Sequence, residues 1–217
     1  MNKRVGHKTG DTLIEVMFAV GIFSLVAVAV IAVMNGSLRS VQTALETTMA
    51  RNEIDAQAEA LRFIQSSAIA EKDAADGKYK EVWGEIIGRA VDGTSFNLES
   101  CADLYKNDGP VEKEKAFVIN TRALGGDENV KVDNVVVSGS MGEAGVHPRL
   151  MYKDDNTTLS DNNSSSELIK AEGIYVVAVP DEKKTYYDFY IRTCWNSAGA
   201  KKPSTISTVI RLYNPNL

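Results

Sequence analysis

The sequence predicts an α+β protein in which one long amino-terminal helix, membrane-spanning in its first half, packs on a carboxyl-terminal antiparallel sheet. Three observations carry that expectation. No proline occurs between Asp11 and Ala70, so nothing in that stretch breaks a helix. From Val16 to Met34 the side chains are apolar or small, and Ser24 is the only clearly polar one. Near the other end, Gly173–Val179, Thr185–Trp195 and Ser204–Tyr213 are rich in β-branched and aromatic residues and are separated by polar, turn-forming segments.

The apolar segment decides the topology. About 20 such residues at a rise of about 1.5 Å each cross a hydrocarbon layer of about 30 Å. Lys3, Arg4 and Lys8 precede the run and the first cation beyond it is Arg39. The positive-inside tendency therefore puts the start of the chain in the cytoplasm and exports the rest. A cleaved secretory signal is the competing reading, with Ala27, Ala29 and Ala32 as small residues near a cleavage site. Against it stand the acid Glu15 at the membrane edge and a helical pattern that continues past the apolar run.

The residues Gly10-Asp11-Thr12-Leu13-Ile14-Glu15 and the apolar run behind them resemble the class III signal of type IV prepilins and pseudopilins. The close match covers residues 8 to about 35, with a likeness in layout over the whole chain. The resemblance implies a leader of residues 1–10, removed between Gly10 and Asp11 by a membrane-embedded prepilin peptidase on the cytoplasmic side. It further implies that Glu15 pairs with the new amino terminus of a neighbouring subunit during filament assembly. The physical logic is direct. A carboxylate within lipid costs roughly 2.5–3.5 kcal/mol on insertion scales, so an acid beside such a run needs a partner or a water boundary. Cleavage supplies a partner, an α-ammonium with a pKa of about 8. The competing reading leaves Glu15 solvated at the lipid edge, favouring the helix amino terminus through the helix dipole.

One position departs from the family. Most members begin the mature chain with an apolar residue that is N-methylated, whereas this chain would begin with Asp11. A second carboxylate beside the ammonium competes with a neighbour's Glu15 and puts methylation in question. The resemblance therefore points to a minor pilin, at the tip or as initiator of an extracellular filament, rather than to the repeated shaft. It implies partners of three kinds: other pilin subunits through the amino-terminal helix, the peptidase with the inner-membrane assembly platform, and membrane lipid before assembly. Two alternatives stay open, a pseudopilin of a secretion or DNA-uptake system, and a single-pass membrane-anchored adhesin or binding module that never polymerises.

The implied organisation is a leader (1–10), a transmembrane and filament-core helix (11–36), its amphipathic continuation (37–72) and an exported α+β head (73–217). In the continuation, Leu38, Val41, Leu45, Met49, Ile54, Ala58, Leu61, Ile64 and Ala68 recur mostly at steps of three and four. The Asp73-Ala-Ala-Asp76-Gly77 segment supplies a stop, and Gly21 and Gly36 are places to bend or unwind. Ala19, Gly21, Ser24, Ala27 and Ala29 allow close helix approach, although such residues are common in any single-pass helix.

Farther on, Tyr79–Val91 reads as a short helix around Trp83, Ile86 and Ile87, and Phe117–Thr121, Val130–Ser138 and Arg149–Lys153 read as strands. Asn156–Ser166 reads as an exposed loop with N-x-Ser/Thr matches at Asn156, Asn162 and Asn163. The last three runs form a meander, the first two joined by the turn Pro180-Asp-Glu-Lys-Lys184. In it Tyr187, Phe189, Ile191 and Trp195 share one face, as do Ile206, Thr208, Ile210 and Leu212, and the long helix is the natural cover.

Composition bounds the rest. The chain has 217 residues and a formal net charge of -5. An acidic balance argues against nucleic acid as a general partner, because phosphate binding depends on clustered cations. The two cysteines, Cys101 and Cys194, suit either one disulfide outside the reducing cytosol or two unrelated buried thiols. A bond would close a loop of about 94 residues and contribute roughly 4–5 kcal/mol if unstrained.

No enzyme and no cofactor are expected. The only histidines are His7, in the leader, and His147, beside Pro148. Asp154, Asp155 and Asp161 lack the spacing and central glycine of a calcium loop. Tyr186, Tyr187, Tyr190 and Trp195 next to Arg192 make either a recognition surface or core packing.

Overall fold

The computed structural model describes residues 11–74, 76–91, 115–124, 135–138, 141–142, 145–153, 167–197 and 199–215. The element order is α1 (Asp11–Ala70), α2 (Lys78–Gly88), β1 (Phe117–Ile119), β2 (Val136–Ser138), β3 (Met141–Gly142), β4 (Arg149–Tyr152), β5 (Leu168–Glu172), β6 (Ile174–Pro180), β7 (Tyr186–Trp195) and β8 (Ser204–Tyr213). The expected α+β class is what the chain adopts. It divides into two compact units between Leu45 and Glu46, so that α1 contributes to both.

In the first unit α1 is regular through Gly21 and Gly36, with no unwinding at either, and a Cβ at either position would meet nothing. Three of its hydroxyl side chains bond back along the helix itself, Thr43 Oγ1 donating to Arg39 O at 3.0 Å. Ser24 Oγ donates to Val20 O at 2.7 Å and Ser37 Oγ to Val33 O at 3.0 Å. A hydroxyl that bonds the preceding turn adds no unsatisfied polar group to an apolar surface.

In the second unit the rest of α1 packs on a five-stranded antiparallel sheet of order β2-β1-β6-β7-β8. The expected meander is present as β6-β7-β8, with Phe189 opposite both Ala178 and Ile210. Ile54, Ala58, Leu61, Ile64 and Ala68 are buried as the periodicity predicted, together with Phe117, Ile119, Val176, Tyr187, Phe189, Ile191, Ile210 and Leu212. Ile206 packs at the margin of this core.

Upstream of Ile54 the expected stripe is corrected. Leu38, Val41, Leu45 and Met49 are exposed, and the buried positions are instead Glu46 and Ala50. Neighbouring residues lie about 100° apart around a helix, so these two rows occupy adjacent faces. The sheet selects the row that carries its hydrogen-bonding partners.

Two polar side chains in the buried row, and one half-buried beside it, fix the helix on the sheet. Gln57, fully buried, donates from Nε2 to Ile119 O at 2.9 Å and accepts from Ile119 N at 2.7 Å. Glu46 accepts from Trp195 Nε1 at 3.1 Å and from Ser197 Oγ. Gln65 Nε2 donates to Tyr213 O at 2.6 Å. The three contacts reach the ends of β7, β1 and β8, and so set helix position as well as contact.

The stop after α1 falls at a turn over Glu71–Asp73. Glu71 then caps α2 from outside, accepting from Tyr79 N at 2.6 Å and Lys80 N at 3.3 Å. A carboxylate at those orphan donors also meets the positive end of the helix dipole. Gly77 permits this approach, since a Cβ there would sit 3.0 Å from Glu71 Cβ. The short helix is Lys78–Gly88, and it buries Val82, Trp83 and Ile86, with the Trp83 ring 5.8 Å from Phe189.

A second sheet, β3-β5-β4, which local alternation does not reveal, pairs β5 parallel with β3 and antiparallel with β4. It covers the outer face of the main sheet at Val118 and Ile174 with Leu168 and Ala171. The chain passes from one sheet to the other at Gly173, whose φ of +63° suits glycine. Its carbonyl accepts from Cys194 N at 2.7 Å, and a Cβ would sit 2.1 Å from Cys194 O. The strands expected at Phe117–Thr121 and Arg149–Lys153 are β1 and β4 with shorter ends, and Val136–Ser138 of the third is β2, while 130–134 lies outside the described residues.

Candidate functional site

The sequence points first to the amino-terminal half of α1. Gly10 lies outside the described residues, and Asp11 opens the helix. Glu15 follows four positions later, about 6 Å along the axis, and is exposed. From Leu13 to Met34 every large apolar side chain is exposed as well. Each represents roughly 1.5–3 kcal/mol of unrealised burial, and none of them finds cover among the described residues. The helix is long and apolar enough to cross a membrane. A shallow groove lined by Ile14, Met17, Phe18, Gly21, Ile22 and Leu25 runs along it, opened by the missing side chain of Gly21.

The cysteines are only half described. Cys194 is fully buried on the sheet face opposite Phe189 and is disulfide-bonded. Cys101 lies outside the described residues, as do Asn156, Asn162, Asn163 and the acidic residues Asp154, Asp155 and Asp161.

The aromatic set on β7 is not gathered into one surface. Tyr187 and Trp195 are buried toward the helix, Arg192 is buried on the other face, and only Tyr186 and Tyr190 remain half-exposed outside. Strand alternation separates residues that sequence proximity brings together. Tyr186 instead joins a surface ladder with β8. Arg211 stacks 3.9 Å over its ring and makes two hydrogen bonds to Asp188, both at 2.8 Å. Those hydrogen bonds hold the guanidinium pKa above its usual value.

Other polar clusters of the head serve turns and edges. Asp181 accepts from Tyr186 N at 3.0 Å, Lys183 N at 3.3 Å and Thr185 Oγ1 at 2.8 Å. Desolvation pushes its carboxyl up, but hydrogen bonds from Tyr186, Thr185 and Lys183 outweigh it and hold the group below the ordinary carboxylate range. Near β4, Tyr152 contacts Thr121 Oγ1 at 3.2 Å and lies under Arg122, 3.9 Å from the ring. Burial raises the Tyr152 phenol, with Glu53 adding to the effect, and burial raises Glu53 itself. Among the described residues no group of His, Cys, Asp and Glu is placed to hold a metal ion.

No protein-family model matches the chain, and no curated protein or solved structure matches it significantly. The polar contacts at Glu46 and Gln57 escaped the sequence reading, because their partners lie 149 and 62 positions away.

Proposed function

We propose that the chain is a minor type IV pilin, a structural subunit clipped after Gly10 and drawn from the cytoplasmic membrane into an extracellular filament through its apolar helix. The observation that carries this reading is the juxtaposition of Gly10-Asp11 and Glu15 with a fully exposed apolar segment of the same helix that packs on the sheet of the head. In lipid the exposed segment is solvated by acyl chains. In a filament the same side chains pack against other copies, and a carboxylate at Glu15 finds the ammonium that cleavage creates. A helix that leaves its first half unpartnered while fixing its second half at Glu46, Gln57 and Gln65 supports a subunit whose head and stalk have separate tasks.

The test is the mass of the mature amino terminus, in cells with and without the prepilin peptidase. The expected chain begins at Asp11 with the peptidase and at Met1 without it. Gly10→Leu blocks the cut, and Glu15→Ala leaves a processed protein that fails to enter filaments. A protein that keeps residues 1–10 in cells containing the peptidase, and that stays a lone membrane species, overturns the reading in favour of a permanently anchored binding module.

A further inference from the structure

On the outer face of β7 Arg192 is only 9% exposed, and its Nε is enclosed without a hydrogen bond. A guanidinium does not escape burial by losing its proton, so it needs an anion. The described carboxylates on that side of the sheet are engaged elsewhere. Asp188, on the same face of the strand, holds Arg211, and Glu172, beside the corner at Gly173, holds Arg149 and Lys170. Opposite Arg192 on the neighbouring strands stand Tyr175 and Ser207, which carry no charge at neutral pH.

Two positions farther along the same face, Cys194 is fully buried and disulfide-bonded, and the chain has one other cysteine, Cys101. In the sequence Cys101 stands between two acids, in the stretch Glu99-Ser-Cys-Ala-Asp103. The Cα atoms of bonded cysteines lie about 5.5–6 Å apart. A bond from Cys194 to Cys101 therefore brings acids two positions from one sulfur within side-chain reach of a cation two positions from the other.

We propose that Glu99 is the counter-ion of Arg192, delivered to it by the Cys101–Cys194 disulfide. Residues 92–114 lie outside the described residues, but the point where the chain enters that span is placed. Val91 N donates to Ala178 O at 2.9 Å, and Ala178 is opposite Phe189. From the level of Phe189 to that of Cys194 is five strand positions, about 17 Å. The ten residues from Val91 to Cys101 span at most about 36 Å, enough to cover that distance. A chain that starts at the level of Phe189 and ends on Cys194 approaches it from the Arg192 side, and Glu99 is on that approach while Asp103 is past it. Disulfide and ion pair are then one device. Oxidation seats a carboxylate on the buried cation, and reduction takes it away. The pairing belongs to the head and stands whether or not the chain is cut after Gly10.

The experiment equilibrates the full chain in detergent with reduced and oxidised glutathione and reads the disulfide fraction by thiol alkylation and mass. Each reduction consumes two glutathione thiols and yields one glutathione disulfide and the two protein thiols. Glu99→Gln is expected to raise the equilibrium constant for reduction at least about tenfold, because the closed form then holds a cation with no anion. Arg192→Gln combined with Glu99→Gln should return it to within about threefold of the parent, since removing both members of a buried pair leaves no stranded charge. Asp103→Asn alone should also stay within about threefold. A Glu99→Gln change that persists undiminished beside Arg192→Gln, or no change at all, overturns the proposal. A tenfold effect of Asp103→Asn overturns the assignment to Glu99. Should Glu99→Gln fail to fold, the double variant is expected to fold, and a double variant that fails as well overturns the pairing.

Discussion

The two halves of α1 are one helix with opposite relations to the rest of the chain. Between Leu13 and Met34 the large apolar side chains are all exposed, and Glu15 is the only carboxylate. Between Glu46 and Ala68 the row at positions 46, 50, 54, 57, 61, 64 and 68 is buried, and two of its members are polar. The more hydrophobic half thus buries less than the more polar half. Hydrophobicity alone does not decide where a helix packs. The decision belongs to the surface offered to it, and the sheet of this chain offers a core edged with hydrogen-bonding groups to one half only.

The comparison is broken most severely at Gly173, which shapes the surface that receives the second half. Gly173→Ala places a methyl against Cys194 O at a left-handed backbone position. The expected cost exceeds about 4 kcal/mol and is read by denaturant unfolding of the full chain in detergent. Unchanged stability would mean that the backbone at residue 173 does not hold a left-handed conformation against Cys194 O.

Truncations then separate the halves directly. Leu61→Ala removes a fully buried side chain from the core and should cost about 2–5 kcal/mol. Leu25→Ala, in the exposed half, should leave unfolding of the head within about 0.5 kcal/mol of the parent. Equal losses at the two sites would erase the distinction.

The acids of α1 sharpen the contrast further. Glu46→Ala leaves the buried indole N–H of Trp195 without this acceptor and should cost about 1–3 kcal/mol. Glu15→Ala should not change unfolding at all, although the proposed function makes it fatal to assembly. Tryptophan fluorescence during chemical unfolding measures the first, and filament yield the second.

The smallest effect is a pH dependence confined to the head. The folded-state pKa of Asp181 is depressed by its turn hydrogen bonds. Its contribution is therefore fully present above the unfolded value of about 3.9 and is lost as pH falls through the lower folded value. Asp181→Asn should flatten that acid limb of the melting profile and leave the behaviour of the apolar half unaltered. A mutant whose acid limb matches the parent would show that the turn contributes no such linkage.

Much of this architecture was legible from local signals. The absence of proline and the steps of three and four in Ile54, Ala58, Leu61, Ile64 and Ala68 announced one helix and its buried face. Alternation along Tyr187, Phe189 and Ile191, and along Ile210 and Leu212, gave the meander and its inner side. The candidate site at Gly10, Asp11 and Glu15 was legible only as a pattern beside an apolar run, and Gly10 lies outside the described residues. Strand β5, Leu-Ile-Lys-Ala-Glu, hides because its charges read as loop until β4 supplies Arg149 to Glu172 at 2.9 Å.

By itself, then, the sequence determined where the chain is helical, where it alternates and which segment suits lipid, since those properties follow from spacing between near neighbours. Only the tertiary structure decided which face of α1 is buried before Ile54, that Glu46 and Gln57 belong to the interior, and that β8 is the last of the described strands in the sheet. Each of these depends on a partner far away in the chain. A hydrogen bond across 149 positions leaves no periodic trace in the residues beside it.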